Sequence, residues 1–218
     1  MSTAFALTRW IIRGKSVLRG YFHEALTSTP VLSGVILDIG GTKGTSSTYR
    51  SIQRFAAGSE IRTLNIDPKG EPEIVADAHH LPLEDQSVDQ VICVNVLEHV
   101  ENPEQVIKEA ARVLRPGGWS IWETPFLINV HAHPYDYWRF TDRALQHLLE
   151  SNGFTNIEVK QLGNGPFVAA ASMVQPFFKV FFVIPFLFAY VLDQCLWLIR
   201  PNWKHRWPLG YLVICKKA

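Results

Sequence analysis

A glycine-rich turn is the feature of this sequence whose residue types and spacing most directly suggest chemistry. The aliphatic run Val35–Ile39 contains Asp38 and leads straight into Gly40 and Gly41, with Gly44 three residues further on. Glycines after a first strand let a ligand approach the backbone closely, and the helix that follows points its N-terminus at that ligand. Many nucleotide-binding folds share such a turn, so by itself it predicts a cofactor site of unspecified kind.

Carboxylates recur at the ends of the next two predicted strands. Asp67 follows the run Ile61–Ile66, where its oxygens could accept both hydroxyls of a ribose. Asp77 and Ala78 follow Glu73–Ala76, where a side chain and a backbone N–H could bind the edge of an adenine. Each acid alone also suits a loop or a helix cap. Three carboxylates at successive strand ends favour one nucleoside-containing ligand.

The segment from His131 to Thr141 follows the fifth predicted strand and offers groups for the substrate side of a site. A histidine titrates near neutral pH, so His131 or His133 could take the proton of a hydroxyl group. Arg139 could hold a phosphate or a carboxylate. Three aromatic side chains could wall a flat or apolar group: Tyr135, Tyr137 and Trp138.

Other interpretations of this segment stay open. Its aromatic residues could pack the loop down while Thr141 caps the next helix. His131, His133 and Asp136 could hold a metal ion, although no third histidine falls at ligand spacing. His99, after the fourth predicted strand, is interpreted as a structural residue that fixes the turn there.

Apolar runs and helical patterns alternate from Val35 onward, which is typical of an α/β fold with a parallel sheet and crossover helices. The fourth run, Val88–Val94, is almost continuously apolar, as a strand covered on both faces should be. The remaining predicted elements are a helix ending near Ala57, helices over Pro103–Leu114 and Asp142–Ser151, and strands over Gly118–Glu123, Phe154–Lys160 and Leu209–Cys215.

Six motifs follow one another along the chain: Leu37–Gly41, Asn65–Asp67, Ala76–Leu83, Asp89–Ile92, Val96–Val100 and Glu109–Gly118. In this order they resemble the class I S-adenosylmethionine-dependent methyltransferases, most of all the small-molecule branch of type 11, which includes quinone-biosynthesis enzymes. The resemblance runs from Val35 to Lys160 and resumes at the last strand. It implies S-adenosylmethionine as cofactor and a Rossmann-like seven-stranded sheet whose last strand is antiparallel, between the fifth and sixth.

The resemblance also implies a role for each matching residue. Asp38, Gly40, Gly41 and Gly44 frame the methionine end of the cofactor, Asp67 binds its ribose, Asp77 and Ala78 bind its adenine, and Asn95 lines it at the end of the fourth strand. One departure is Thr42, where family loops commonly carry glycine and where a Cβ could crowd the cofactor. Two alternatives to a methyltransferase are therefore kept, a non-catalytic cofactor-binding scaffold at a membrane and a nicotinamide-dependent oxidoreductase.

Composition excludes several classes of function. The 218 residues carry 21 Lys and Arg against 20 Asp and Glu, and a formal net charge of +1 does not predict nucleic-acid binding. With 47% apolar residues, the chain is not expected to be disordered. Cys93, Cys195 and Cys215 lie too far apart for a disulfide framework or a zinc ligand set, which suits the cytoplasm.

Two regions outside the sheet are predicted to be helical. Residues 1–30 predict a basic amphipathic helix that packs on the domain or lies on a membrane surface. Residues 163–208 form an apolar insertion, in which 26 of the 33 residues from Phe167 to Ile199 are apolar. A single membrane span is disfavoured, because the longest apolar run, Val180–Leu192, has 13 residues and contains Pro185. Both ends of the insertion would also leave the same edge of the sheet.

The insertion is therefore expected to form a helical hairpin in one leaflet, a helix in the membrane interface, or the surface of a homodimer. Basic and tryptophan residues between Trp197 and Trp207 favour the headgroup region of a membrane. We expect a methyltransferase domain over 31–162 and 209–218, attached to the cytoplasmic face of a membrane through 167–207 and the N-terminal helix. Its acceptor is expected to be a lipophilic or lipid-linked small molecule, methylated at oxygen.

Overall fold

A computed structural model describes residues 3–27, 29, 32–43, 52–53, 55–56, 58–163 and 165–218. The chain divides into two compact units. A sheet unit comprises residues 29–124, 131–159 and 213–218, and a helical unit comprises residues 1–28, 125–130 and 160–212. The helical unit therefore takes in the N-terminal region and residues 125–130 as well as the apolar insertion, which the predicted domain boundaries kept apart.

Seven strands form one sheet in the order β3-β2-β1-β4-β5-β7-β6. Strands β1, β2, β4 and β5 pair in parallel, with Leu37 opposite Arg62 on one side and Val91 on the other. The strands are β1 (Val35–Ile39), β2 (Glu60–Asn65), β3 (Ile74–Val75), β4 (Val88–Val94), β5 (Leu114–Pro125), β6 (Phe154–Leu162) and β7 (Gly210–Lys217). This confirms the predicted Rossmann-like α/β fold.

The last strand runs antiparallel to its neighbours. Phe126 donates its backbone N–H to Leu209 at the end of β5, whereas the Lys217 ammonium donates to the carbonyl of Leu114 at its start. The β6 side shows the same reversal, because Leu209 donates to Leu162 and Ala218 donates to Gly153. The predicted position of the last strand, between the fifth and sixth, is confirmed.

Local sequence explains most element boundaries in the sheet unit. Helix α3 (Pro103–Val113) begins where the Asn102 side chain accepts from Gln105 N–H, and helix α4 (Asp142–Ser151) begins where the Thr141 hydroxyl accepts from Ala144 N–H. β5 begins earlier than predicted, because Leu114 already pairs with β4 before a register shift. The predicted helix ending near Ala57 lies largely outside the described residues, as does Gly44.

The helical unit begins with two helices rather than the single helix predicted over 1–30, and that prediction was wrong. Helix α1 (Thr3–Ile12) ends before Gly14, whose φ of +72° turns the chain. Helix α2 (Val17–Leu26) begins where the Ser16 side chain accepts from the Arg19 backbone N–H.

The insertion supplies helices α5 (Pro166–Phe178) and α6 (Val183–Ile199), joined by a 3-10 turn. The Gln175 side chain holds the α1–α2 turn, donating to the Lys15 carbonyl at 2.8 Å and accepting from Val17 N–H at 3.0 Å. Buried Asp193 of α6 accepts the N–H groups of Phe167 and Val168, which caps α5 from a neighbouring helix. The N-terminal helices and the insertion therefore pack as one body.

The surface of the helical unit is unusually apolar and basic. It carries nine Lys and Arg against two Asp and Glu, a formal charge of +7, whereas the sheet unit carries −6. Sixteen of the 21 exposed large apolar side chains among the described residues belong to it. Among the helices that the structure describes, none combines the length and the apolar character that a membrane crossing requires.

Candidate functional site

The glycine turn after β1 is held open by backbone geometry that a side chain would destroy. Gly40 has a φ of +79° and donates its N–H to the Leu64 carbonyl at 2.7 Å. A Cβ on Gly40 would lie 2.3 Å from Val96 Cγ2, and one on Gly41 would lie 2.4 Å from a carboxylate oxygen of Asp38. Both positions therefore require glycine, and of the two Gly40 is exposed whereas Gly41 is buried against Asp38.

Asn65 ties the turn to the end of β2. Its amide nitrogen donates to the Gly40 carbonyl at 2.9 Å, and its oxygen accepts the N–H of Asp67 at 3.0 Å. Asn65 thus sets the spacing between the glycine turn and Asp67. Sequence reasoning assigned no role to Asn65, although an asparagine two residues before a predicted ribose ligand was the available signal.

Thr42, the departure from the family pattern, packs away from the turn. Its Cγ2 occupies the space that a Cβ on Gly70 would need, at 2.5 Å. The neighbouring Lys43 N–H donates to the Gly70 carbonyl at 3.2 Å. The threonine methyl is therefore accommodated by the absence of a side chain at Gly70.

The three carboxylates predicted to bind a nucleoside lie along one edge of the sheet, at the ends of adjacent strands. Asp67 is half-buried and accepts from Lys69 N–H at 2.9 Å. Asp77 is exposed and accepts from the backbone and the ring of His79, which lower the pKa of its carboxyl although its partial burial acts to raise it. Ala78 beside it is buried.

The end of β4 lies next to these groups in the sheet. Asn95 adopts a φ of +52°, a conformation uncommon outside glycine, and donates its N–H to the Glu123 carbonyl at 3.0 Å. The place of Asn95 beside a ligand stays a prediction.

Three acidic side chains are buried at this edge of the sheet. Asp38, Glu98 and Glu123 are each at most 2% exposed, and all three act to raise the pKa of the buried Cys93 thiol, after burial itself. Burial raises the pKa of Asp38 to about 7. Such a group of carboxylates favours a cationic ligand, since a positive charge would offset their desolvation.

The loop after β5 folds onto the segment that follows β4. Tyr137 and Trp138 donate their backbone N–H groups to the Glu98 carbonyl, and the Trp138 indole donates to the Val100 carbonyl at 2.9 Å. The rings of Tyr135, Tyr137 and Trp138 remain exposed. This loop thus presents an aromatic surface rather than packing it away.

Of the predicted catalytic residues, the structure places His131 beside Glu98 and His99. Its Nε2 lies 3.7 Å from Glu98 Oε1, and its ring makes an edge contact with His99. Glu98 raises the pKa of His131 most, although partial burial opposes this. His133 is exposed, two residues further along the loop. Glu98 itself was missed, although it belongs to the quoted motif Val96–Val100.

Arg139 is engaged in an ion pair within the loop. Its guanidinium binds both oxygens of Asp136, with Nη2 2.7 Å from Oδ2, and thereby lowers the pKa of that carboxyl. Asp136 Oδ2 also accepts the backbone N–H of His131 at 2.9 Å. The pair therefore anchors His131, and the expected binding of an acceptor phosphate by Arg139 stays a prediction.

Comparison with known proteins agrees with this geometry. A family model described as a methyltransferase domain matches residues 37–122. An uncharacterized methyltransferase from Mycobacterium sp. (strain KMS) is 32% identical over 114 residues, which cover 47% of this chain and 45% of that protein. A ubiquinone biosynthesis O-methyltransferase from Thiobacillus denitrificans (strain ATCC 25259 / T1) is 26% identical over 120 residues, which cover 50% of each protein.

Solved structures are similar in fold over nearly the whole chain, whereas the sequence matches cover half of it or less. A SAM-dependent methyltransferase from Archaeoglobus fulgidus superposes with a TM-score of 0.64 at 16% identity, covering 98% of this chain and 99% of that one. The chain spans half or less of the length of the curated relatives that it matches.

Proposed function

We propose that this chain, which belongs to the class I S-adenosylmethionine-dependent methyltransferases, methylates an oxygen atom of a lipophilic or lipid-linked small molecule at a membrane surface. The family and its cofactor rest on the motif-bearing segment and on the topology of the sheet. The acceptor class and the membrane are inferred from the helical unit and from the loop after β5.

The residues at the sheet edge fit S-adenosylmethionine. The buried carboxylates would balance the positive charge of the sulfonium, and the exposed backbone of Gly40 lies at the turn beside Asp38. Asp67 would hold the ribose, and Asp77 with Ala78 the adenine, each at the end of a neighbouring strand. Since the Thr42 methyl packs against Gly70, the main argument for a scaffold without a pocket loses force.

When bound, S-adenosylmethionine supplies an activated methyl group. The chain must then hold the acceptor oxygen in line with that methyl and exclude water. The hydroxyl proton of the acceptor would have to be taken up as the methyl group is transferred, and His131 or His133 of the loop after β5 would be the base that accepts it. We assign the acceptor side to the loop after β5, where polar His131 adjoins exposed aromatic rings.

The lipophilic nature of the acceptor is supported by the helical unit. Phe177 and Phe181 are 81% and 79% exposed, and Leu198 is 87% exposed. Burying an exposed phenylalanine is worth about 1.5–3 kcal/mol, so such a surface favours an apolar phase. The ubiquinone-biosynthesis relative, named for a quinone pathway, supports the same acceptor class.

The charge of the helical unit supports an anionic membrane surface. Its formal charge of +7 is opposed by the −6 of the sheet unit, so the nearly neutral whole chain conceals a strongly basic region. Arg200 and Arg206 both lie over the ring of Trp203, which joins cationic and interfacial aromatic groups in one cluster. Basic and tryptophan side chains together are typical of segments that bind at the headgroup level.

The experiment that tests this function incubates the purified chain with S-adenosylmethionine labelled in its methyl group and a bacterial lipid extract. We expect label in an organic-soluble product whose methyl group resists mild base, as an ether does. Calorimetry with S-adenosylmethionine alone should show binding, whereas NADH should give none. Cofactor binding without any labelled product would support the scaffold, and NADH binding would support an oxidoreductase.

The two candidate histidines can be compared directly in the same assay. His131→Ala should slow turnover more than His133→Ala, because His131 adjoins the buried Glu98 and His133 is exposed. Both variants should keep their affinity for S-adenosylmethionine. Equal effects, or a larger loss in His133→Ala, would move the acceptor to another part of the loop.

A further inference from the structure

Three metal-ligating side chains from two separate segments converge beside the end of β4. Glu98 and His99 follow β4, and His131 comes from the loop after β5. One ligand atom from each lies within 4.8 Å of the other two. The Nε2 atoms of both histidines are 3.7 Å from the same oxygen, Glu98 Oε1.

Nε2 of both imidazoles faces the Glu98 carboxylate, and His99 is held in this orientation from behind. His99 Nδ1 lies 2.6 Å from the Tyr135 carbonyl oxygen, which can only accept, so Nδ1 carries the proton and Nε2 presents a lone pair. His131 Nδ1 faces Asp136 at 3.4 Å, and Asp136 is itself fixed by Arg139. Outer partners of this kind orient histidines in metal sites.

Glu98 is the group that most needs a cation. It is fully buried, and neither of its carboxylate oxygens has a hydrogen-bond partner among the described residues. A buried carboxylate without a donor is costly, and the lone pair of His99 Nε2 facing it adds repulsion. A distance of 3.7 Å is too long for a hydrogen bond, but it is close to the ~3.4 Å that separates ligands around a zinc ion bound at ~2.1 Å.

We propose that Glu98, His99 and His131 bind a divalent transition-metal ion. Two imidazoles and one carboxylate suit zinc and its neighbours in the first row, whereas magnesium prefers oxygen ligands alone. Three protein ligands leave a coordination position open. If the proposed function holds, that position would take the acceptor oxygen, and this role, unlike the metal site itself, rests on the proposed function.

This site differs from the one that the sequence suggested. His131 is common to both, but Glu98 and His99 replace His133 and Asp136. The sheet decides the difference, because it brings the end of β4 against the loop after β5. Asp136 lies on the Nδ1 side of His131, away from Glu98, and accepts the backbone N–H of His131.

The test is metal binding by the full-length, untagged chain after dialysis against a chelator. Titration with zinc chloride, followed by calorimetry and by elemental analysis of the protein, should give one tight site per chain. Cobalt in place of zinc should give the visible absorption bands of a low-symmetry site. Magnesium at equal concentration should not displace either ion.

Variants assign the ligands. Glu98→Gln and His131→Gln should each weaken zinc binding by about 100-fold or more, since even outer-sphere changes cost 10–100-fold. His147→Ala, which alters an exposed histidine on α4, should leave the stoichiometry and the affinity unchanged. If Glu98→Gln does not fold, as judged by circular dichroism, His131→Gln on the half-exposed loop decides the question.

The outcomes separate this proposal from the proposed function. A chain that binds no zinc, or binds it equally well after Glu98→Gln and His131→Gln, would overturn the metal site and leave a proton shared between the histidines and Glu98 as the balancing charge. Zinc binding at these residues without any methyl transfer would keep the site and contradict the function. Methyl transfer that is unaffected by complete removal of metal would overturn the role of the ion at the acceptor.

Discussion

The sheet unit and the helical unit differ in which side chains they bury and which they expose. The sheet unit buries carboxylates such as Asp38 and Glu98 and has a formal charge of −6. The helical unit exposes phenylalanines and leucines and has a charge of +7. Burying charge and exposing apolar surface both oppose folding, so each unit is arranged for something that binds to it.

The contrast is the basis of the proposed binding partner of each unit. Buried carboxylates are balanced by cations, which suits a sulfonium cofactor and the proposed metal ion. Exposed apolar side chains with a basic surround suit a lipid phase with anionic headgroups. Changes in one unit should therefore alter binding of the cofactor, and changes in the other should alter binding to lipid.

Gly40→Ala should give the largest effect on the sheet unit. Its Cβ would meet Val96 at 2.3 Å, and alanine at a φ of +79° is strained by about 1–3 kcal/mol. We expect a lower midpoint of thermal unfolding and a loss of more than ~100-fold in affinity for S-adenosylmethionine by calorimetry. Gly58→Ala is the matched control, since Gly58 has a φ of +86° with no atom near its Cβ, and it should lower stability only.

Phe177→Ser combined with Phe181→Ser should give the largest effect on the helical unit. Removing two exposed rings worth about 1.5–3 kcal/mol each should weaken vesicle binding by ~100-fold or more. Flotation with vesicles of phosphatidylcholine and phosphatidylglycerol measures this, and binding should fall as salt is added. Val75→Ser, which alters an exposed apolar residue of the sheet unit, is the control. Equal binding by all three proteins would refute attachment through the helical unit.

Asp67→Ala should weaken cofactor binding by about 10–100-fold, because a hydrogen bond to a charged group contributes about 1.5–3 kcal/mol. Calorimetry measures the affinity, and Asp67→Asn should retain part of it by keeping the acceptor for Lys69 N–H. Vesicle binding should not change. An unaltered affinity in Asp67→Ala would show that the ribose is held elsewhere.

Cofactor binding should depend on pH through Asp38, with a smaller effect. Burial raises the pKa of its carboxyl to about 7, so the group is mostly neutral at pH 6 and mostly ionised at pH 8. A sulfonium favours the ionised form, and the affinity should rise by about tenfold between these values. Asp38→Asn should make the affinity nearly independent of pH over this range. If the variant keeps the same pH dependence, the titrating group belongs to the cofactor and not to Asp38.

The raised pKa of Asp38 has the opposite effect on stability, because the protein without cofactor should become less stable as the pH rises. Because the folded-state pKa of Asp38 lies above the unfolded value, the native state binds the proton more tightly than the unfolded chain does. The free energy of unfolding without cofactor should therefore fall as the pH rises from about 4 through about 7. Asp38→Asn should reduce that slope in chemical denaturation.

For some elements, local sequence predicted the first and last residues correctly. β1, β4 and the helix Asp142–Ser151 have the expected bounds, because their apolar runs and caps are short-range features. β5 was longer than expected, since its first residues pair only where β4 is present. The N-terminal region failed as one helix because Gly14 and Ser16 form a turn that Gln175 holds from the insertion.

The residues of the candidate site also fall into two groups, those that local sequence predicted and those that it did not. Asp38 lies near the end of β1, and the glycines and Asp67 follow strands in the chain, so their place at the sheet edge could be predicted from order alone. Asn65 and Glu98 belong to motifs of the chain, but sequence reasoning gave neither of them a role. Their roles come from hydrogen bonds and distances to residues 24 to 33 positions away, which become visible only when strand ends are neighbours.

The sequence by itself determined which segments form the strands and where the glycine turn lies, because hydrophobic periodicity and glycine turns act over a few residues. The place of the last strand was implied by the family resemblance. The sequence also determined that the insertion is apolar. Tertiary structure alone decided that the N-terminal helices and the insertion form one basic body, and that Glu98 faces two histidines. Both outcomes depend on contacts between residues far apart in the chain, which local patterns do not encode.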